Sequence, residues 1–137
     1  PVASPTPTRS PGEVRASLGV APGRRLLLLF GSLEERKGAL DVLGALPALP
    51  RTDAGSLAVA IIGQTYPGMR ERLWAAVEAA RRSPAQVIVQ ERFVPDDELD
   101  DLVAAADVVL APYRGHVGSS GVLLRAAAAG RPLLSTD

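Results

Sequence analysis

Cysteine is absent, and histidine, lysine, tryptophan and methionine each occur once among 137 residues. Without cysteine there is no disulfide framework and no thiolate metal site, and a single histidine, His116, rules out a His-rich one. No metal and no cofactor is expected, and a reducing, cytoplasmic setting suits the missing thiols. Aromatics are scarce, with two Tyr, two Phe and one Trp, too few for a platform that stacks bases along a strand. Neither sign of charge is in excess, because 15 Asp and Glu balance 15 Lys and Arg. That balance removes the electrostatic footprint of a nucleic-acid partner or an anionic bilayer. No apolar run approaches the roughly 18 residues of a transmembrane segment.

What is present is enough for one core. Apolar residues make up 47 % of the chain, which suits a single globular domain of this length. Residues 1–11, PVASPTPTRSP, are rich in Pro, Ser and Thr and read as a flexible linker. Residues 12–137 then alternate between two periodicities. Near-continuous apolar runs at 26–30, 57–62, 87–89, 107–111 and 132–135 read as strands, and a short helix is expected at 13–19. Helical spacing marks 37–46 (Leu40, Leu43, Leu46), 67–82 (Met69, Leu73, Val77, Ala80), 96–106 (Leu99, Leu102, Val103, Ala106) and 119–129. Five buried strands separated by helices imply an α/β domain with a doubly wound parallel sheet. Right-handed crossovers leave few orders, of which the doubly wound 3-2-1-4-5 is the one expected, with the ligand crevice beyond the C-terminal strand ends, where strands 1 and 4 meet. The chain begins at Pro1 and ends just after an apolar run, so it is expected to be a piece of a longer protein.

Two features fall at that crevice. The segment ADVVLAPYRGHVGSSGVLLRAAAAGRPLLS runs strand, glycine loop, helix, strand. Gly118 and Gly121 let backbone approach a ligand, and the free N–H groups at Ser119, Ser120 and Gly121 suit a phosphate. Plain N-capping of the helix is the alternative role for those serines. Lys37, the one lysine beside 14 arginines, follows the first strand. A compact ammonium serves a phosphate as a point charge, where arginine imposes a planar fork. The alternative is a solvated lysine of the first helical turn. His116 lies in the crevice loop, within reach of the same ligand or simply at the surface.

Four motifs, in order and covering residues 12–137, resemble the C-terminal, donor-binding, Rossmann-like domain of the retaining family 4 glycosyltransferases of GT-B architecture. RASLGV is similar to the arginine–leucine–glycine segment before the first strand. FGSLEERKG resembles G-R-L-x-x-x-K-G, with Gly31 and Lys37 kept and Ser32 at the arginine position. VIVQERFVPDDELDDLVAAADVVLAPY resembles the run containing G-F-V-P-x-x-E-L and A-D-V-x-L-x-P, with Arg92 at the glycine position. GVLLRAAAAGRPLLS resembles L-L-E-A-M-A-x-G-x-P-V-V-A.

The resemblance implies one half of a two-domain enzyme that moves a sugar from a nucleoside diphosphate sugar, its donor substrate, to an acceptor held by an N-terminal domain of the same chain. An acceptor at a membrane surface is compatible with that arrangement. Lys37 would be the catalytic cation on the diphosphate. Arg92, Phe93 and Val94 would border the nucleobase, held largely by backbone, with Phe93 equally suited to the core. The family's two glutamates near the fourth helix fall at Val117 and Arg125. Arg125 there would bind a ribose or phosphate oxygen, or pair with an acid such as Asp107. Loss of both glutamates leaves two other readings open: a degenerate GT-B domain that binds nucleotide or a protein partner without catalysis, and a GT-B epimerase-like enzyme acting on a nucleotide sugar.

Overall fold

The computed structural model describes residues 8–33, 38–111 and 130–135. Five strands, β1 (Arg25–Phe30), β2 (Leu57–Gly63), β3 (Gln86–Glu91), β4 (Val108–Ala111) and β5 (Leu133–Ser135), form a parallel sheet in the order β3-β2-β1-β4-β5. The α/β class and the parallel sheet are those expected from the sequence. The chain steps outward from β1 to β3, then returns so that Leu27 pairs with Val108. β1 and β4 are thus the strands where winding reverses.

Strand residues alternate between two separate cores, because successive side chains leave opposite faces of a strand. Leu26, Leu28 and Phe30 of β1, with Ala58, Ala60 and Ile62 of β2, meet α1 (Pro11–Leu18) through Val14 and α5 (Asp96–Ala105) through Leu102 and Val103. Leu29, Val59 and Ile61 face the other way. They meet α2 (Ala39–Ala45) through Leu43, α3 (Arg51–Ala54) through Ala54 and α4 (Arg70–Ala80) through Leu73 and Val77. Helices therefore cover both faces.

Several boundaries differ from expectation, each for a local reason. α2 begins at Ala39 because Gly38, at φ 76°, precedes it in the left-handed region. Pro47 converts the end of α2 into a 3₁₀ turn at Leu46–Ala48. α4 begins at Arg70, since Gly68 has φ 86° and turns the chain before it. β3 is six residues long, because an edge strand keeps its backbone ladder while its side chains stay half-exposed, which tolerates Gln86, Gln90 and Glu91. The short α3 carries no periodicity that would reveal it. The expected helix at 119–129 lies outside the described residues.

The linker boundary at residue 11 also moves. Ser10 caps α1 in a reciprocal box: its hydroxyl accepts from the Glu13 amide at 3.1 Å, and its own amide donates to Glu13 Oε1 at 3.0 Å, with Pro11 at the first helical position. Thr8 donates to Asp101 of α5 through its amide at 2.7 Å and its hydroxyl at 2.8 Å. Residues 8–11 belong to the fold. Their polar composition serves capping and hydrogen bonding, which composition alone cannot separate from a solvated tail. Among the described residues no helix is long and apolar enough to cross a membrane.

Asp107, one partner expected for Arg125, is described without it, because Arg125 lies outside the described residues. It accepts from the Leu26 amide at 2.7 Å and pairs with Arg15 of α1, tying α1 to the start of β1. Burial opposes the charge on Asp107, yet the Leu26 amide and Arg15 together hold its carboxyl below the ordinary aspartate value of 3.8. Asp101 is only 4 % exposed. Burial again raises its pKa, and the bonds from Thr8 and Arg9 outweigh it, so the net shift is downward.

A carboxylate with a lowered folded-state pKa stabilises fully above its unfolded value, and that contribution is lost as pH falls through the folded one. The melting temperature should therefore be flat from neutral pH to about pH 5 and drop below about pH 4. Asp101→Asn should lower the neutral-pH melting temperature by on the order of 5 °C and make the acid drop shallower. An identical pH profile in the variant would show that Asp101 carries no such linkage.

Candidate nucleotide cleft

The C-terminal ends of β1, β2 and β3 surround a cleft of about 200 Å³. Its floor depends on two glycines. Gly31, immediately after β1, has φ 111° and donates its amide to the Ile62 carbonyl at 3.2 Å. A Cβ on Gly63, the last residue of β2, would lie 1.7 Å from the Gly31 carbonyl oxygen. Neither position tolerates a side chain: Gly31 for its backbone conformation, Gly63 for contact with backbone that cannot move aside.

Beyond the glycines the two loops continue as a short ladder. Leu33 donates to the Gln64 carbonyl at 2.7 Å, Tyr66 donates to the Leu33 carbonyl at 3.1 Å, and Leu33 bridges Thr65. On the other side, the Arg92 amide donates to the Gly63 carbonyl at 2.9 Å. Backbone pairing thus carries three successive strand ends to one opening.

Five residues expected from the sequence meet there. Gly31 and Ser32 come from the turn after β1, and Arg92, Phe93 and Val94 follow β3. They divide by role. Val94 is buried in the core under the cleft, whereas Phe93 is 68 % exposed at its rim. Phe93 is therefore not a core residue, and an exposed aromatic ring beside a cleft offers a flat apolar face to a ligand. Arg92 is gripped from α5: its terminal nitrogens bond both Glu98 oxygens, one of them at 3.0 Å, and its Nε donates to Gln90 at 3.0 Å. The Arg92 guanidinium holds the Glu98 carboxyl below its usual range, and Glu98 raises the arginine in return. This fork-on-carboxylate geometry orients Arg92 at the cleft wall.

Four further lining residues, Gly63, Gln64, Asp96 and Leu99, were not singled out as site residues from the sequence. Gly63 reads as a strand stop and Asp96 as an acid suited to a helix start. A glycine closing two apolar strands in succession is the signal that could have found the pair with Gly31. Lys37, His116, Gly118, Ser119, Ser120, Gly121 and Arg125 lie outside the described residues. Among the described residues no cluster of His, Cys, Asp or Glu could hold a metal ion.

A second, more open cavity of about 460 Å³ adjoins the cleft. Gln64 and Arg92 form part of both, and Thr65, Tyr66, Pro67, Arg70 and Glu91 complete its walls.

The family profile described as Glycosyl transferases group 1 matches residues 24–137. A D-inositol 3-phosphate glycosyltransferase of Nocardia farcinica is 31 % identical over 137 residues, covering 93 % of this chain and 29 % of the relative. The crystal structure of HepE from Anabaena in complex with UDP and glucose superposes with a TM-score of 0.76 at 20 % identity, over 96 % of this chain and 34 % of that one. The C-terminal domain of the group 1 glycosyl transferase LpcC from Francisella tularensis superposes at 0.75 with 18 % identity, over 98 % of this chain and 70 % of that domain. The chain thus spans under a third of the curated relative it matches, and most of a structure that is itself one domain.

Gly63→Ala should lower the stability measured by urea unfolding by about 3 kcal/mol or more, at the upper end for overpacking, because its methyl meets fixed backbone. An unchanged midpoint would mean that Gly31 and Gly63 do not approach as described.

Proposed function

Because the chain belongs to the group 1 glycosyl transferases, we propose that it is the donor-binding half of a two-domain GT-B enzyme. That enzyme moves a sugar from a nucleoside diphosphate sugar to an acceptor held by an N-terminal domain, and it works in the cytoplasm. The observation that carries this reading is the convergence of Gly31, Ser32, Arg92, Phe93 and Val94 on one cleft at the C-terminal strand ends, beside the β1/β4 reversal where open α/β sheets bind ligands. HepE, of the same fold, has been crystallised in complex with UDP and glucose, which supports a nucleotide ligand for this domain.

In this reading the nucleobase enters the cleft against Phe93 and the backbone of residues 92–94. The close glycine floor lets the ligand approach main-chain groups with no side chain between. The diphosphate then extends towards Lys37 and the Ser119, Ser120 and Gly121 amides. As the glycosidic bond breaks, negative charge grows on the departing diphosphate. A fixed ammonium at that point stabilises the transition state more than the ground state. His116, Gly118 and Arg125 would complete the donor pocket. No metal ion is needed if lysine and amides carry the charge.

One observation favours a second reading. Val117 and Arg125 stand where the family resemblance places two glutamates, so a domain that binds nucleotide without catalysing transfer is the alternative.

Lys37→Ala should weaken uridine or guanosine diphosphate binding about ten- to a hundredfold by calorimetric titration, the effect of removing one charge-assisted contact of about 1.5–3 kcal/mol. Equal affinity in both proteins would remove Lys37 from the site. The 137-residue chain alone should show no transferase turnover with a panel of nucleotide sugars and acceptors, since half a cleft cannot position an acceptor or exclude water. Enzyme-like turnover would refute the two-domain reading.

A further inference from the structure

One carboxylate outside the cleft gathers three side-chain donors. Glu91 ends β3, in register with Gly63. Its Oε1 accepts from Trp74 Nε1 at 2.6 Å and from Arg70 Nε at 3.2 Å, and its Oε2 accepts from the Thr65 hydroxyl at 2.8 Å. The carboxylate is only 19 % exposed. Its donors come from the loop after β2, the start of α4 and the second turn of α4. With the Trp74 indole foremost, they hold the acid below its usual pKa.

The neighbours of this cluster are the walls of the cleft. Arg92 follows Glu91 directly, and Gln64 precedes Thr65; both separate the cleft from the adjoining cavity. Thr65 also bridges Leu33, the residue after Gly31 and Ser32. The donors of Glu91 therefore reach backbone on two sides of the opening.

From this arrangement we infer that Glu91 is a positioning residue for nucleotide binding, fixing the Gln64 and Arg92 walls, and that Trp74 reports ligand occupancy through it. The inference rests on reading the cleft as the nucleotide site. Glu91 touches no ligand in this scheme. A site is only as precise as the groups that lock its walls, and a carboxylate offers two acceptor oxygens where an amide offers one oxygen and an NH2 donor. A nucleotide pressing on Gln64 or Arg92 shifts the Thr65–Glu91–Trp74 chain, and the indole senses the altered bond to a charged acceptor. Trp74 is the sole tryptophan, so tryptophan emission reports this one indole and its surroundings.

The test titrates uridine and guanosine diphosphate into the 137-residue chain, by calorimetry and by tryptophan emission. In wild type, saturation should change Trp74 emission. Glu91→Gln keeps the size but has one acceptor oxygen for three donors. It should bind about tenfold more weakly, keep a cooperative thermal transition and lose the emission response. Asp107→Asn loosens the opposite end of the sheet, so it controls for destabilisation alone and should bind as wild type does. Wild-type affinity in Glu91→Gln, or emission unmoved by saturating nucleotide in wild type, overturns the inference. So does an equal loss of affinity in Asp107→Asn. If Glu91→Gln does not fold, Trp74→Phe decides, because it keeps a ring and removes one donor. Affinity at least about threefold weaker supports the inference, and unchanged affinity overturns it. Absence of any nucleotide binding by wild type is a separate result, which removes the donor-site reading together with the role of Glu91.

Discussion

No side chain fits between the ends of β1 and β2. The 1.7 Å from a notional Gly63 Cβ to the Gly31 oxygen leaves room for hydrogen alone, and the rest of the site is arranged around that contact. It brings the Gly31 turn onto β2, which lets Leu33 and Thr65 extend the pairing past the sheet. It also leaves an opening floored by main chain, with polar side chains only at the walls. A cleft of this kind recognises a ligand by backbone groups and shape, and its walls can change without disturbing its floor.

Charge is used in pairs on those walls. Arg92 is gripped by Glu98, and Glu91 collects Arg70, Trp74 and Thr65. These acids neutralise arginine locally, in keeping with a chain whose net charge is zero. The pairs are half-exposed, so their worth lies less in stability than in geometry. Each fixes the direction of a long side chain that would otherwise sample many rotamers, Arg92 at the cleft and Arg70 at the cavity beside it.

The sheet was legible in the sequence because β1 and β2 are buried on both faces and read as unbroken apolar runs. β3 was only half legible. An edge strand needs apolar residues on less of its surface, so Gln86, Gln90 and Glu91 hid its ends. Glycine conformation governed the helix starts: Gly38 and Gly68 each turn the chain with a positive φ where periodicity would have let the helix begin earlier. In the site, Gly31, Ser32 and the Arg92–Val94 segment were recognisable by likeness to a family motif. Gly63, Gln64 and Glu91 were not, because their importance comes from which residue stands beside them in the neighbouring strand, and register is a property of the folded sheet.

The bonds from Thr8 to Asp101 give α5 a mechanical character. Tension on the backbone before residue 8 passes through two short hydrogen bonds, of 2.7 and 2.8 Å, into the middle of that helix. Five residues upstream, roughly 7.5 Å along the axis, the same helix presents Asp96 to the cleft, and Leu99 lies between the two points. A helix is stiff over such a span. α5 is thus a beam with Thr8 hitched at one point and the mouth of the cleft at the other, and a force applied at the first would be felt at the second.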